Sequence, residues 1–340
     1  MTHSGEHPAH GGDLAYATRR FGTPTGGWQD LSTGISPWAY PVGEVPAQVW
    51  RQLPVDQSGL IRSAAAYYGA DPAHILPVPG SQFALARLPA LLESASVALP
   101  RPGYEEHARH WLAGGHTPIF YRGLAELREA AEAGRVCHAV VINPNNPTGE
   151  RVAARELLAL SQSLPGILLV DEAFADLWPS LSVAAAVSSN PRLYVLRSVG
   201  KFFGLAGVRL GFLLGSGSAV AKLHSGMDPW AVNTPALWVG ERALADRHWQ
   251  ISQRQRISEA AQALSQLLAN CVPESVECAN SGLFVTLQGD RPYLQALFTK
   301  LGHGGIFSRW CYSAANTEPA WLRLGLPEDK GRRLTEVLCD

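Results

Sequence analysis

Short apolar runs alternate with helix-like stretches through most of the chain, and this alternation limits the possible folds more than any other feature. The helix-like stretches lie at 58–68, 104–112, 124–133 and 153–162. The apolar runs lie at 74–78, 96–99, 139–142, 167–170, 193–196 and 208–214. This order of strand, helix and strand favours an α/β fold with a mostly parallel sheet covered by helices on both faces.

The same patterns divide the chain into an arm and two domains. Residues 1–45 form an irregular arm rich in glycine and proline, and 46–233 carry the alternating pattern. Within 234–340, a long stretch with helical spacing comes first, from about 234 to 270, and shorter strand-like and helix-like segments follow. We therefore expect a large α/β domain followed by a long helix and a smaller α+β domain, which the arm joins.

Composition excludes several classes of partner. Hydrophobic residues make up 46% and charged residues 17%, which is typical of a soluble globular enzyme. The formal net charge of −1 gives no electrostatic basis for binding nucleic acid or an anionic membrane. No apolar run approaches the roughly 18 residues of a membrane-spanning helix. The five scattered cysteines lack metal-binding spacing, which favours reduced thiols, a cytoplasmic location and no metal site.

The first chemical motif is Asn143-Pro-Asn-Asn-Pro-Thr-Gly149, directly after the apolar run at 139–142. Two prolines and a glycine end the strand and make a rigid loop at its carboxyl end. Ligands bind at that end in open α/β sheets. By itself, the loop is also consistent with an ordinary structural turn.

An acidic pair and a lysine follow two later runs. Asp171 and Glu172 come directly after 167–170, and a buried carboxylate needs a partner there. Alone, the pair is also typical of a helix N-cap or a metal ligand. Lys201 lies between glycines after 193–196, so its amine is able to reach into a pocket, although a lone lysine is more often a surface residue.

The segment Val78-Pro-Gly-Ser-Gln82 follows a strand-like run and opens a helical stretch. A glycine and a small hydroxyl residue at a helix N-terminus expose backbone N–H groups to an anion. A simple N-cap is an equally good interpretation of this segment alone.

Taken together, the four motifs resemble one family. They occur in the order phosphate cup, asparagine loop, acid and lysine, each after a strand-like run. The pair N-P-N-N-P-T-G and S-x-x-K-x-x-x-x-x-x-x-R, the latter from Ser198 to Arg209, is similar to fold-type-I enzymes that use pyridoxal 5′-phosphate (PLP). Within these, the chain resembles the family of histidinol-phosphate aminotransferase and threonine-phosphate decarboxylase from residue 10 to about 326. The resemblance implies PLP as cofactor and a homodimer.

The resemblance also implies roles for the cofactor residues. Lys201 would hold PLP covalently and move protons at the substrate Cα, Asp171 would pair with the pyridinium nitrogen, and Asn146 would contact the ring's 3′-oxygen. Tyr104 would stack on the ring, although a core tyrosine that opens a helix is the alternative. Phe174 stands where transaminases usually carry a tyrosine beside the 3′-oxygen. The residues expected to hold the phosphate are Gly80, Ser81, Gln82, Ser198 and Arg209.

The substrate residues implied by the resemblance lie on the arm and the small domain. Arg309 and Arg323 are on neighbouring strand-like segments, and each resembles a family arginine that clamps an anionic group, with surface charge as the alternative. His10-Gly11-Gly-Asp resembles the H-G-G motif of an arm that folds over a substrate phosphate. Ser32, in a segment that resembles D-x-S-x-x-I-N-P, and Asn146 complete the expected group.

Four features favour the decarboxylase branch of the family over the aminotransferases. They are the H-G-G motif, the segment 28–37, the P-W-x-V-N motif at 229–233 and Phe174. The reaction implied is decarboxylation of O-phospho-L-threonine to (R)-1-amino-2-propanol O-2-phosphate, a precursor in cobalamin biosynthesis.

Some positions depart from the decarboxylase pattern, and other functions stay open. Gly34 and Ser36 replace common asparagines, and Leu53 stands where many relatives have a tyrosine that reaches the neighbouring subunit, which indicates a divergent branch. A histidinol-phosphate-type aminotransferase is the first alternative, because the same residues support transamination. A PLP-binding transcription regulator is a weaker one, since such regulators carry a basic DNA-binding module ahead of the fold, whereas here we expect the fold to start within the first few dozen residues and the net charge is −1.

Overall fold

The computed structural model describes residues 10–216, 218–311 and 319–339. Cys339 is described by its backbone alone. Residues 1–9 of the expected arm therefore lie outside the described residues.

Strands and helices alternate along the described residues. The strands are β1 Gln29–Asp30, β2 Ile75–Val78, β3 Ser96–Pro100, β4 Thr117–Tyr121, β5 His138–Ile142, β6 Leu168–Asp171, β7 Leu193–Ser198, β8 Gly211–Gly215, β9 Glu277–Asn280, β10 Phe284–Gly289, β11 Ile306–Phe307, β12 Arg309–Cys311 and β13 Ala320–Gly325. The helices are α1 Leu14–Phe21, α2 Ala47–Arg51, α3 Ser58–Tyr68, α4 Ser81–Arg87, α5 Glu105–Ala113, α6 Gly123–Glu132, α7 Ala154–Ser163, α8 Ser218–Ser225, α9 Thr234–Ala245, α10 Arg247–Cys271, α11 Arg291–His303 and α12 Arg332–Cys339.

The chain forms two compact units. The larger unit contains 39–146 and 150–252, and the smaller one contains the described parts of 1–38 and 253–340 together with Pro147–Gly149. The sequence placed the domain boundaries after residues 45 and 233, whereas this division falls after residues 38 and 252. The expected boundaries stay a prediction.

The larger unit is built on a seven-stranded sheet of order β2-β8-β7-β6-β5-β3-β4. Strands β3 to β7 pair in parallel, and β8 is antiparallel to both of its neighbours. Every residue of β5, β6, β7 and β8 is buried, which explains the apolar runs that make up most of these strands. The expected α/β fold with a mostly parallel sheet is confirmed.

Two elements differ from the sequence expectations. Strand β4 was not predicted, because it is a half-exposed edge strand whose second residue is Pro118. The single helix expected from about 234 to 270 is two helices, α9 and α10. Asp246 separates them, because its backbone leaves the helical region and its carboxylate accepts the Trp249 N–H at 2.9 Å, which starts a new helix.

The smaller unit is α+β. Its four-stranded antiparallel sheet has the order β12-β13-β10-β9, and β1 pairs with β11 in parallel. Helix α1 places Phe21 against the rings of Phe298 and Trp28, at centroid distances of 5.5 and 6.3 Å, so the arm is packed into this unit. Among the described helices, none is long and apolar enough to cross a membrane.

Candidate active site

The carboxyl ends of β5, β6 and β7 bring three of the sequence motifs to one edge of the large sheet. In the strand register, Ile142 lies opposite Asp171, and Asp171 lies opposite Leu196. The asparagine loop, the acidic pair and the lysine segment start at or just after these positions. This placement follows from parallel strands, whose carboxyl ends share an edge.

The asparagine loop is held by its own first and third side chains. Asn143 is fully buried, and its amide exchanges two hydrogen bonds of 2.9 Å with the backbone of Val152. Asn145 donates to the carbonyl oxygen of Pro102 at 3.3 Å, and its N–H donates to that of Glu150 at 2.8 Å. These two residues fix the backbone, and the half-buried Asn146 follows them directly.

Asp171 is a buried carboxylate with a histidine partner. Its Oδ2 lies 3.0 Å from Nε2 of His107, and its Oδ1 accepts the Ala173 N–H at 3.1 Å. His107 is completely buried. Sequence reasoning missed this histidine, although its position four residues before the buried Trp111 places it on the apolar face of α5, where a polar residue signals a partner.

Glu172, the next residue, belongs to a different network. Its carboxylate accepts from Arg197 at 2.7 Å, from the Ser182 hydroxyl at 2.6 Å and from the Val183 N–H at 2.7 Å. Arg197 also donates to Asp176 at 2.7 Å. Burial raises the pKa of Glu172, and the arginine opposes that rise. Both of its oxygens are therefore engaged away from Asp171.

The predicted phosphate cup combines a helix start with an arginine. Gly80 precedes α4 with φ 79°, in the left-handed region that favours glycine, and no side chain caps the helix. A Cβ on Gly80 would lie 2.6 Å from Nη2 of Arg209, so only glycine lets the guanidinium approach the backbone here. Ser81 is the first residue of α4. A Cβ on Gly211 would lie 2.3 Å from the backbone nitrogen of Ser81, so a side chain at position 211 would clash with the start of this helix.

Lys201 lies in the turn that follows β7. Ser198, the last residue of that strand, accepts the Gly200 N–H on its hydroxyl at 3.3 Å. The Lys201 side chain is half-buried, and its Nζ lies 5.6 Å from the ring centroid of Phe174. The amine, this aromatic ring and Ser198 are thus close to the end of one strand.

Tyr104 is linked to the cup through Gln82. The Tyr104 hydroxyl donates to Oε1 of Gln82 at 3.3 Å, and Nε2 of Gln82 donates to Glu106 at 2.9 Å. The Tyr104 ring also meets that of His107 edge to face, at 6.3 Å between centroids. The ring is therefore oriented by neighbours from both α4 and α5.

In the smaller unit, Arg309 and Arg323 lie directly opposite each other on β12 and β13. Two like charges in a cross-strand pair are unfavourable without an anion or other partners. Arg323 is buried, with its guanidinium 4.9 Å from the Phe284 ring centroid and 2.7 Å from the carbonyl oxygen of Ser32. This is a suitable arrangement for binding an anionic group.

Among the first described residues of the arm, Gly11 and Gly12 also contact Ser32. His10 is exposed, and a Cβ on Gly11 would lie 2.5 Å from the Ser32 carbonyl oxygen. Gly12 has φ 85° and donates its N–H to the Ser32 hydroxyl at 2.7 Å. The two positions therefore require glycine for different reasons: Gly11 because the Ser32 backbone lies so close, and Gly12 because its backbone is left-handed.

Residues 52–338 match the model of the aminotransferase class I and II family. The chain is 42% identical over 324 residues to a threonine-phosphate decarboxylase of Pseudomonas aeruginosa, which covers 94% of this chain and 93% of that relative. The chain belongs to the aminotransferase class I and II family. A threonine-phosphate decarboxylase of Sinorhizobium sp. is 38% identical over 338 residues, 97% of each chain.

Solved structures of this family have the same fold. The crystal structure of histidinol-phosphate aminotransferase from Sinorhizobium meliloti in complex with PLP matches with a TM-score of 0.83, covering 96% of this chain and 94% of that one at 20% identity. The expected family and the expected fold-type-I architecture are confirmed. The roles of individual residues stay predictions.

Proposed function

We propose that this chain is a PLP-dependent threonine-phosphate decarboxylase, which converts O-phospho-L-threonine to (R)-1-amino-2-propanol O-2-phosphate and CO2 for cobalamin biosynthesis. The observation that carries the proposal is the nearly full-length identity of 42% and 38% to two proteins with that name. The residues at the edge of the large sheet support it, because they suit this cofactor.

The fit to PLP rests on three features of the larger unit. Beside Gly80, a phosphate would meet backbone N–H groups of α4 and the guanidinium of Arg209. Asp171 is a buried, hydrogen-bonded carboxylate, which suits a protonated ring nitrogen. Lys201 supplies a primary amine at the end of a neighbouring strand.

The remaining cofactor residues surround these three. Tyr104 would stack on the ring, and Asn146 and Phe174 would lie at the 3′-oxygen side. The cup would be completed by Ser81, Gln82 and Ser198. When bound, PLP supplies a ring that accepts the electron pair left on Cα as a substituent departs.

The chain's own residues would control protons and orientation. Asp171 would keep the ring nitrogen protonated, and His107 holds that carboxylate in place through the 3.0 Å contact. Lys201 would release the cofactor to the substrate amine and return a proton to Cα after CO2 leaves. Tyr104 would restrict the ring to one plane.

Substrate recognition is assigned to the arm and the small unit. Arg309 and Arg323 would bind an anionic group of the substrate, His10 and Gly11 would close over its phosphate, and Asn146 would contact the bound substrate from the loop. Ser32 is kept in this group because it touches Gly11 and Arg323. Binding the phosphate would fix rotation about the Cα–N bond, so that the carboxylate rather than the hydrogen is the group that leaves.

A homodimer is part of the proposal. In the larger unit, Trp50, Leu53 and Val55 are 66%, 58% and 83% exposed within six residues of each other, and Trp230 is 52% exposed before α9, which packs on α2. Exposed apolar residues in such a group are typical of a protein interface. A second copy of this chain is the occupant we propose, and Leu53→Glu with Trp50→Glu should convert a dimer to monomers in light scattering.

A cytoplasmic location is also proposed. Cys137, Cys271, Cys278 and Cys311 are thiols, and burial raises the pKa of Cys137 and Cys278. Reduced cysteines are typical of that compartment.

The proposal is tested by supplying purified holoenzyme with O-phospho-L-threonine. We expect CO2 release without any 2-oxo acid, and far slower turnover of L-threonine. A second reaction contains histidinol phosphate and 2-oxoglutarate. Glutamate formation there, without CO2 release from O-phospho-L-threonine, would replace the decarboxylase with the aminotransferase alternative.

A further inference from the structure

The hydroxyl of Ser32 is fully used inside the protein. Ser32 has no exposed surface. Its Oγ donates to Oδ1 of Asp30 at 2.5 Å and accepts the Gly12 N–H at 2.7 Å. The Ser32 N–H also donates to the same Asp30 oxygen, at 2.9 Å.

A serine hydroxyl has one proton to donate. Because Asp30 accepts that proton, none remains for an oxygen of a substrate phosphate. A phosphate oxygen can only accept a hydrogen bond, so the Ser32 hydroxyl could bind it only after its bond to Asp30 is broken.

The backbone of Ser32 contacts both groups that we assign to substrate binding. Its carbonyl oxygen accepts from Nη2 of Arg323 at 2.7 Å and packs against Gly11, where an added Cβ would lie only 2.5 Å away. The hydroxyl holds the next arm residue, Gly12. One buried residue of the arm therefore contacts Gly11 and Gly12 on one side and Arg323 on the other.

We propose that Ser32 is a positioning residue, held by Asp30, that fixes the turn at Gly11 and Gly12 beside Arg323. This inference rests on the proposed function for its effect on substrate, because the arm and Arg323 are the proposed ligands of the two anionic groups. Ser32 then sets the separation of two sites for anions and binds neither anion through its own hydroxyl.

Ser36 offers a matched control. It is also a buried serine of this segment with a bonded hydroxyl, which accepts from Nε2 of Gln253 at 2.8 Å and has no contact with Gly12 among the described residues. Ser32→Ala and Ser36→Ala therefore each remove one buried hydroxyl, but only the first removes the acceptor of the Gly12 N–H.

The first experiment measures amide hydrogen exchange of a peptide that covers Gly12. In Ser32→Ala, we expect the Gly12 amide to exchange about tenfold faster, because its acceptor is gone. Ser36→Ala should leave that rate unchanged. Equal exchange in wild type and Ser32→Ala would overturn the inference, and this readout does not depend on any enzymatic activity.

The second experiment measures KM and kcat in both variants. Ser32→Ala should raise KM for O-phospho-L-threonine about tenfold with little change in kcat, and Ser36→Ala should change KM much less. Absence of turnover of O-phospho-L-threonine by the wild-type enzyme would contradict the proposed function, while the exchange data still decide the role of Ser32.

Asp30 variants separate positioning from direct binding. Asp30→Ala leaves the Ser32 hydroxyl in place but removes its acceptor, so positioning predicts a higher KM and faster Gly12 exchange. Asp30→Asn keeps an acceptor oxygen and should restore both toward the wild-type values. Wild-type KM and exchange in Asp30→Ala would contradict the inference and leave Ser32 as a direct ligand.

Discussion

Asp171 and Glu172 are neighbours in sequence at the end of one strand, yet they belong to separate networks. Asp171 has a histidine and a backbone N–H as partners. Glu172 has an arginine, a serine hydroxyl and a backbone N–H, and the arginine is shared with Asp176. Asp171 ends β6 and Glu172 follows it directly, yet the two carboxylates share no hydrogen-bond partner among the described residues.

The comparison teaches how one sequence motif can carry both function and stability. A buried ion pair between a carboxylate and an arginine leaves no room for exchange with a ligand cation, because removing either partner is costly. A carboxylate held by a histidine can still accept a proton donor such as a pyridinium nitrogen. The acid that we propose for the cofactor is thus the one that has no arginine partner among the described residues.

The largest expected effect comes from Asp171→Ala. The variant should still bind PLP through the phosphate contacts but lose several orders of magnitude in kcat, because the ring nitrogen loses its proton and the electron sink weakens. Steady-state kinetics with O-phospho-L-threonine measures this. Glu172→Gln is the matched control, and it should retain kcat. Near-normal turnover in Asp171→Ala together with inactivity of Glu172→Gln would reverse the two assignments.

Arg197→Met should lower stability and leave activity nearly intact, the reverse of what we expect for Asp171→Ala. It removes the arginine that pairs with the buried carboxylates of Glu172 and Asp176, so the free energy of unfolding should fall by about 3–5 kcal/mol. The kcat per folded molecule should stay close to wild type. Urea denaturation measures the free energy of unfolding. Arg192→Met provides the reference, because Arg192 is an exposed arginine directly before β7, the strand that contains Arg197. Full stability with lost activity would place Arg197 in the catalytic network.

His107→Phe should have an intermediate effect. It removes the charged hydrogen bond to Asp171 and keeps a buried ring, so kcat should fall roughly 10–100-fold, in line with about 1.5–3 kcal/mol for such a bond. A fall equal to that of Asp171→Ala would mean that the histidine itself acts on the substrate.

A second buried histidine gives the smallest effect. Burial lowers the pKa of His138 from 6.5, and the nearby His116 adds to this. A histidine with a lowered folded-state pKa contributes stability that is present above 6.5 and is lost as the pH falls below it. The free energy of unfolding should therefore decrease from pH 7 to 5 more in wild type than in His138→Gln. Identical pH profiles would exclude His138 as the cause.

The sequence predicted most of the fold because the buried strands are uninterrupted apolar runs. It did not predict β4, whose Pro118 and partial exposure remove that signal. It predicted functional roles for Asp171 and Lys201 from their positions at and just after the ends of buried strands, and those roles stay predictions. It did not identify His107 or the separate partner of Glu172, because these contacts join residues 64 and 25 positions apart in sequence. Helical spacing alone hid Asp246, whose capping bond splits the long helix.

The central claim is that Lys201 holds PLP at the edge of the large sheet, and covalent trapping tests it most directly. Wild type and Lys201→Ala are loaded with PLP, reduced with borohydride and analysed by peptide mass spectrometry. We expect a reduced cofactor on Lys201 in wild type, and loss of the covalent cofactor, its visible absorbance and turnover in the variant. A Lys201→Ala protein that still carries reducible, covalently bound cofactor would contradict it.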